Sequence, residues 1–231
     1  MECLYAPDIE PHSTNAILTG DEVQHARALR LRTGENIMLS NGRGYCADAV
    51  VEEISKEEVM CRLVRILPEH GELSYRVIIA LGILDNRERM EFALEKAIEL
   101  GASDFVPLLT KYSERDRTKP ERLAAKALAA MKQSHRARLT RLHEPMTLQA
   151  LLTMLSTETR IILADTEGQK PSPYDAKSIC LCVGPEGGFS EEEQTLLRND
   201  ARTMLWMLAP TRLRAETAAL SGLSALTLFH Q

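Results

Sequence analysis

Hydrophobic and polar positions follow two rhythms along this chain. Over roughly the first seventy residues the apolar positions alternate in short runs. Residues 37–41 and 45–51 flank a Gly-Arg-Gly at 42–44, which predicts a β-hairpin. Residues 59–67 read as a further strand ended by Pro68, and residues 21–29 as a short helix before the hairpin. Strands so few and short predict a small barrel-like domain over residues 1–70, followed by a polar Pro- and Gly-containing linker. From residue 75 the rhythm changes. Residues 75–83 form a continuous apolar run, as expected of a strand buried on both faces. In residues 87–101, Met90, Ala93, Leu94, Ala97 and Ile98 recur at helical steps, with Gly101 placed to end the helix. Strands at 105–110, 160–164, 178–183 and 203–208 then alternate with helices near 118–136, 147–155, 190–199 and 216–229. That alternation predicts an α/β domain over residues 75–231 with a mainly parallel sheet.

Composition narrows the class without naming it. The 231 residues are 44% hydrophobic and 26% charged, ordinary for a globular protein. No apolar run approaches the roughly 18 to 20 residues of a membrane span. The first residues lack the basic-then-apolar pattern of a secretory leader, and the five cysteines are odd in number. A reducing, cytoplasmic setting is expected. Cys180 and Cys182 fall on one face of a strand, without the spacing or histidine partners of a metal site. No metal is expected. Net charge is −5, but residues 111–143 carry 10 Lys/Arg against 3 Asp/Glu. A basic segment in an acidic chain fits a polyanionic partner; it also fits a solvated helix face.

The strongest chemical signal is GPEGGF at 184–189, between a buried strand and a helix. Ser190 and Glu193 form a capping box that fixes where that helix starts. The loop therefore leaves the C-terminal end of a strand, where open α/β sheets bind ligands. Its glycines allow close backbone approach. It lacks the spacing of a dinucleotide fingerprint and the Lys-Ser/Thr of a P-loop, and Glu186 would repel phosphate. A carboxylate there tolerates a cationic ligand such as a sulfonium or an amine. A second cluster, TRLRAETAAL at 211–220, crowds two arginines, a glutamate and a threonine at the start of the last helix.

VGPEGGFS at 183–190, followed by LRAETAAL at 213–220, resembles the ribosomal RNA small-subunit methyltransferase E family, of the SPOUT class. HARALRLRTGE at 25–35, the helix and strand over 87–108, and KQSHRARL at 132–139 extend the resemblance over most of the chain. Three positions depart from the family pattern. Leu208 is followed by Ala209 where Leu-Gly is usual, and Thr211-Arg212 stand where Arg-Ile is usual. The resemblance implies a PUA-like β-barrel followed by a SPOUT domain with a C-terminal trefoil knot. It further implies methylation of uridine N3 in 16S rRNA, S-adenosyl-L-methionine as cofactor, and a homodimer acting on rRNA or the small ribosomal subunit.

On that basis Gly184, Pro185, Glu186, Gly187 and Gly188, with Leu163, Leu208, Ala209, Leu213 and Thr217, are expected to cradle the cofactor. Arg214 is expected to stabilise charge on the uracil. Glu216 is a candidate general base or a residue that orients Arg214. Lys111, Arg115, Lys132, Arg136 and Arg138 are candidate phosphate contacts, joined by His25 and Arg30 from the small domain. Two other classes remain open on the residues alone. One is a metabolic α/β enzyme using GPEGG for a small anion; the other is a non-catalytic RNA-binding adaptor.

Overall fold

The computed structural model describes residues 1–113, 119–173 and 175–229. In chain order the elements begin β1 (Cys3–Tyr5), β2 (Asn15–Thr19), α1 (Asp21–Ala28), β3 (Asn36–Ser40), β4 (Tyr45–Ile54) and β5 (Glu58–Pro68). They continue with β6 (Arg76–Gly82), α2 (Arg87–Glu99), β7 (Asp104–Leu109), α3 (Pro120–Gln133), β8 (Arg141–Leu142) and β9 (Met146–Thr147). Last come α4 (Leu148–Met154), β10 (Arg160–Gln169), β11 (Ser178–Val183), α5 (Glu191–Arg198), β12 (Thr203–Trp206) and α6 (Ala215–Phe229). The chain divides into two compact units. Met1–Glu72 and Leu128–Leu139 form the first; Leu73–Ala127 and Thr140–Gln231 form the second.

The first unit is a five-stranded sheet ordered β1-β3-β4-β5-β2. The hairpin expected around residue 43 is β3–β4, paired antiparallel. Leu4, Leu18, Ile37, Leu39, Val51 and Val59 fill its core with Val23 and Ala26 of α1. Residues 128–139 close over part of this unit through buried ionic contacts. Arg136, only 2% exposed, donates from Nη2 to Glu72 Oε2 at 2.6 Å. Glu72 Oε1 also accepts from the Arg138 backbone amide at 2.9 Å.

The second unit is a parallel sheet ordered β12-β10-β11-β6-β7-β8, with β9 also on β7. Its central strands are apolar on both faces, as the continuous runs predicted. One face, with Ile78, Ala80, Leu163, Cys180 and Cys182, packs against Leu148, Leu151 and Leu152 of α4 and Leu197 of α5. Cys180 and Cys182 do share that face, their Sγ atoms 3.8 Å apart, as buried free thiols. On the other face α6 lies on β6 and β11 and against α2. A Cβ on Gly222 would sit 2.6 Å from Leu181, so α6 meets β11 at close range. Trp206 of β12 meets the Phe229 ring edge-on at 6.4 Å, tying the end of α6 back to β12.

The registers bring three strand ends level. Leu163 pairs with Cys182, and Ala164 pairs with Trp206. β10 then bulges outward and returns, so that Gln169 also pairs with Trp206. Gly168 makes this return feasible, since a Cβ there would lie 2.6 Å from the Leu205 and Trp206 backbone carbons.

Glu72→Ala should destabilise the protein by about 3 to 5 kcal/mol, because it removes the carboxylate that the buried Arg136 guanidinium faces. Guanidinium-chloride unfolding checks this. A loss below about 1 kcal/mol would mean the pair is worth no more than a surface salt bridge.

Candidate functional site: a cleft at three strand ends

Three loops leave the level ends of β10, β11 and β12 and enclose a cleft of about 730 Å³. That size is usual for small-molecule sites, roughly 300 to 1,000 Å³. Leu163 and residues 164–167 form one wall, the 184–189 loop a second, and residues 206–215 with Ala218 a third. The capping box of α5 fixes the second wall: Glu193 Oε2 accepts from the Ser190 amide at 2.8 Å, and Ser190 Oγ accepts from the Glu193 amide at 3.3 Å. Within the loop the Gly188 amide donates to the Pro185 carbonyl at 2.9 Å, with Gly188 at φ 75. A Cβ on Gly188 would meet no atom within 4 Å, so a side chain there would grow into open space.

Nine of the ten expected cofactor contacts line this cleft: Leu163, Gly184, Pro185, Glu186, Gly187, Gly188, Leu208, Ala209 and Leu213. Thr217 does not. It is exposed and off the cleft lining, because the helical turn that brings Ala215 and Ala218 to the cleft points Thr217 outward.

The ionic arrangement differs from the expected one. Glu216, 8% exposed, is not paired with Arg214. Arg89 takes it with two bonds, Nε to Oε1 at 2.9 Å and Nη2 to Oε2 at 2.5 Å. The remaining Arg89 nitrogen, Nη1, donates to Glu186 Oε1 at 2.6 Å. Arg89 therefore joins the loop after β11 to the last helix. Burial alone would push the Glu216 carboxyl up, but the Arg89 bonds outweigh it and hold it below the ordinary carboxylate range. Glu186 moves the other way, raised by burial and by neighbouring Asp85 against the pull of Arg89.

Four arginines line the cleft with different commitments. Arg89 holds Glu216 and Glu186. Arg198 holds Asp165 at 2.6 Å and Glu167 at 3.1 Å. Arg212 reaches the Glu186 carbonyl at 3.4 Å. Arg214 is exposed, and its guanidinium makes no hydrogen bond or ion pair among the described residues.

Arg89 was not among the residues singled out from the sequence, yet a signal was present. It lies in the first turn of α2, behind the Asn86 cap, where the helix dipole disfavours a cation. A basic residue there asks for an acidic partner. The acidic wall at Asp165 and Glu167 was also missed, since polar residues after a strand read as an ordinary loop.

The candidate phosphate contacts do not form one free basic face. Lys132 Nζ donates to Glu22 at 2.6 Å and lies 3.1 Å from His25 Nδ1. Arg136 is buried on Glu72 within the first unit. Arg138 is paired with Glu69. Arg122 and Lys126 are paired with Glu91 and Glu95, at 2.5 and 3.3 Å. Much of the local positive charge is thus matched by acids from elsewhere in the chain. Arg30 and Lys111 remain exposed; Arg115 lies outside the described residues. Among the described residues no group of three or more His, Cys, Asp or Glu side chains is arranged for a metal, and no helix is long and apolar enough to cross a membrane.

Comparison with known proteins agrees with this architecture. Residues 71–227 match the RNA methyltransferase domain family, and residues 18–64 match the RNA methyltransferase PUA domain. The ribosomal RNA small subunit methyltransferase E of Aquifex aeolicus is 33% identical over 229 residues, covering 92% of this chain and 94% of the relative. The protein of the same name from Bacillus subtilis is 30% identical over 229 residues, covering 91% and 88%. A putative methyltransferase from Legionella pneumophila, solved with the bound cofactor SAM, superposes with a TM-score of 0.82 at 27% identity, covering 98% of this chain and 96% of that one. With its PUA-like first unit, its parallel α/β second unit and these relatives, the chain belongs to the ribosomal RNA small subunit methyltransferase E family.

Proposed function

We propose that this protein transfers a methyl group from S-adenosyl-L-methionine to N3 of a uridine in 16S rRNA. The observation that carries the reading is the cleft at the ends of β10, β11 and β12, lined by a glycine-rich loop and by one uncommitted arginine. The lining suits this cofactor. The glycine-rich backbone of residues 184–188 lines the cleft where an adenosine would lie, and Leu163, Leu208 and Leu213 give apolar flanks. The Glu186 carboxyl tolerates a positively charged sulfonium, which supplies the electrophilic methyl. Ala209, where the family has glycine, also lines the cleft, so this departure leaves the wall in place.

The rest of the chemistry falls to the protein. Uracil N3 is a poor nucleophile while it holds its proton. Once a base from solvent takes that proton, negative charge stays on the ring and its carbonyl oxygens until N3 takes the methyl and S-adenosylhomocysteine leaves. A guanidinium held beside the ring stabilises that charge and so lowers the cost of deprotonation. Arg214 suits this role because nothing else in the cleft claims it. Glu216 does not suit the role of base: both its oxygens accept from Arg89, and its carboxyl is held low. It is a positioning group instead. The target base must leave any stack to reach the methyl.

Arg30 and Lys111 are the phosphate contacts this reading favours, with His25 and Lys132 tied to each other and to Glu22. The reading also includes a homodimer, supported by the exposed Leu228 of α6 and Phe92 of α2 on two helices that pack together. It includes the trefoil knot, supported by the close backbone passage of β12 under Gly168. A ribosomal substrate implies a cytoplasmic location.

Gly188→Val should abolish S-adenosylmethionine binding in isothermal titration, because a β-branched residue is strained at this positive φ and would project into open space. Undiminished binding would remove the 184–188 loop from the site. Arg214→Ala should leave cofactor affinity intact and slow single-turnover methylation of small-subunit rRNA by on the order of a hundredfold or more. Lost affinity with an unchanged rate would make Arg214 a binding residue.

A further inference from the structure

The uncommitted state of Arg214 is itself unexpected. Arg214 and Glu216 are two residues apart at the start of α6, and the Arg214 charge already helps hold the Glu216 carboxyl low. A buried carboxylate beside an exposed guanidinium would ordinarily capture it, since a charge-assisted pair is stronger away from water. Both Glu216 oxygens instead accept from Arg89. The bidentate fit uses the planar fork of the arginine, and the third contact, to Glu186, fixes the guanidinium plane from the opposite side. Asp85, 3.6 Å from Arg89 Nη1, adds a further acid on the α2 side. Among the described residues, no other cation bonds Glu216.

We infer that Arg89 is a positioning residue for the methyl transfer, occupying Glu216 so that Arg214 stays open toward the cleft. The inference rests on the reading of Arg214 as the group that stabilises uracil charge. Arg89 acts through Glu216 and Glu186, to which all three of its side-chain nitrogens donate. It acts by competition: Glu216 in the first turn of α6 follows Arg214 by two residues, and α2 supplies a second guanidinium that takes the acid. The same residue holds Glu186 at the cleft wall, so cofactor loop and catalytic arginine are set by one side chain.

A purely supporting ion pair and a competitor make different forecasts for a second mutation. If Arg89 only braces α2 against α6, Glu216→Gln relieves the uncompensated buried carboxylate, so the rate recovers only as far as the unfolding midpoint does. If Arg89 keeps Glu216 away from Arg214, removing the acid's charge releases Arg214 again. The test compares wild type, Arg89→Ala, and Arg89→Ala with Glu216→Gln, in single-turnover methylation of small-subunit rRNA at saturating S-adenosylmethionine. In samples whose unfolding midpoints show them fully folded at the assay temperature, Arg89→Ala is expected to slow the reaction on the order of tenfold or more, with RNA affinity unchanged, and the added Glu216→Gln to recover most of that loss. Should Arg89→Ala fail to fold, Arg89→Lys with and without Glu216→Gln gives the same comparison, because lysine lacks the bidentate fork. A double variant as slow as the single one, or slower, overturns the inference while leaving the methyltransferase reading standing. A wild-type rate of zero on small-subunit rRNA overturns both.

Discussion

The level, parallel pairing of β12, β10 and β11 is the constraint from which the site follows. Because Ala164 pairs with Trp206 and Leu163 with Cys182, the three strands release their loops at one edge. These loops line one cleft, together with Arg89 of α2 and Gln194 and Arg198 of α5. The bulge of β10 that returns Gln169 to Trp206 shapes one wall, and the capping box at Ser190 and Glu193 fixes the start of the helix that ends another. The third wall is the approach to α6, which is anchored on β11 at Gly222 and on β12 through the Phe229–Trp206 contact. A shift of one strand would turn its side chains to the opposite face and disperse the loops.

Charge in this protein is organised by partnership more than by sequence neighbourhood. The basic stretch around residues 111–143 looks like one cationic surface when counted along the chain. Folding assigns Arg122, Lys126, Lys132, Arg136 and Arg138 to Glu91, Glu95, Glu22, Glu72 and Glu69. Some of the acid excess near the start of the chain therefore meets some of the base excess of 111–143 in the same contacts. The same principle operates in the cleft, where Arg89 and Arg198 are spent on carboxylates and Arg214 is not. What matters for function is the charge left over after pairing.

Much of the fold was legible because its main strands and helices are long and periodic. The apolar runs of β6 and β11 and the helical spacing of α2 left little choice of element. β1 and β2 escaped notice because three to five residues with mixed burial carry no clear alternation. The membership of residues 128–139 in the first unit was also hidden, since it depends on Glu72 and Arg136 meeting across 64 residues of sequence. In the site, the glycine loop and Arg214 were singled out from local chemistry, and both line the cleft. Thr217 lies off the cleft lining because its orientation depends on the phase of α6 against the sheet, and Arg89 was not singled out because its partners lie 97 and 127 residues away.

The central claim is that one cleft and one open arginine serve methylation of a uridine in small-subunit rRNA. Mass mapping of methylated uridines in 16S rRNA, from cells lacking this protein and from cells complemented with it, tests that claim most directly. The account predicts one N3-methyluridine that disappears with the gene, returns with the wild-type chain, and stays absent when Arg214→Ala is supplied in its place. An unchanged set of methylated uridines in cells without the protein would contradict it.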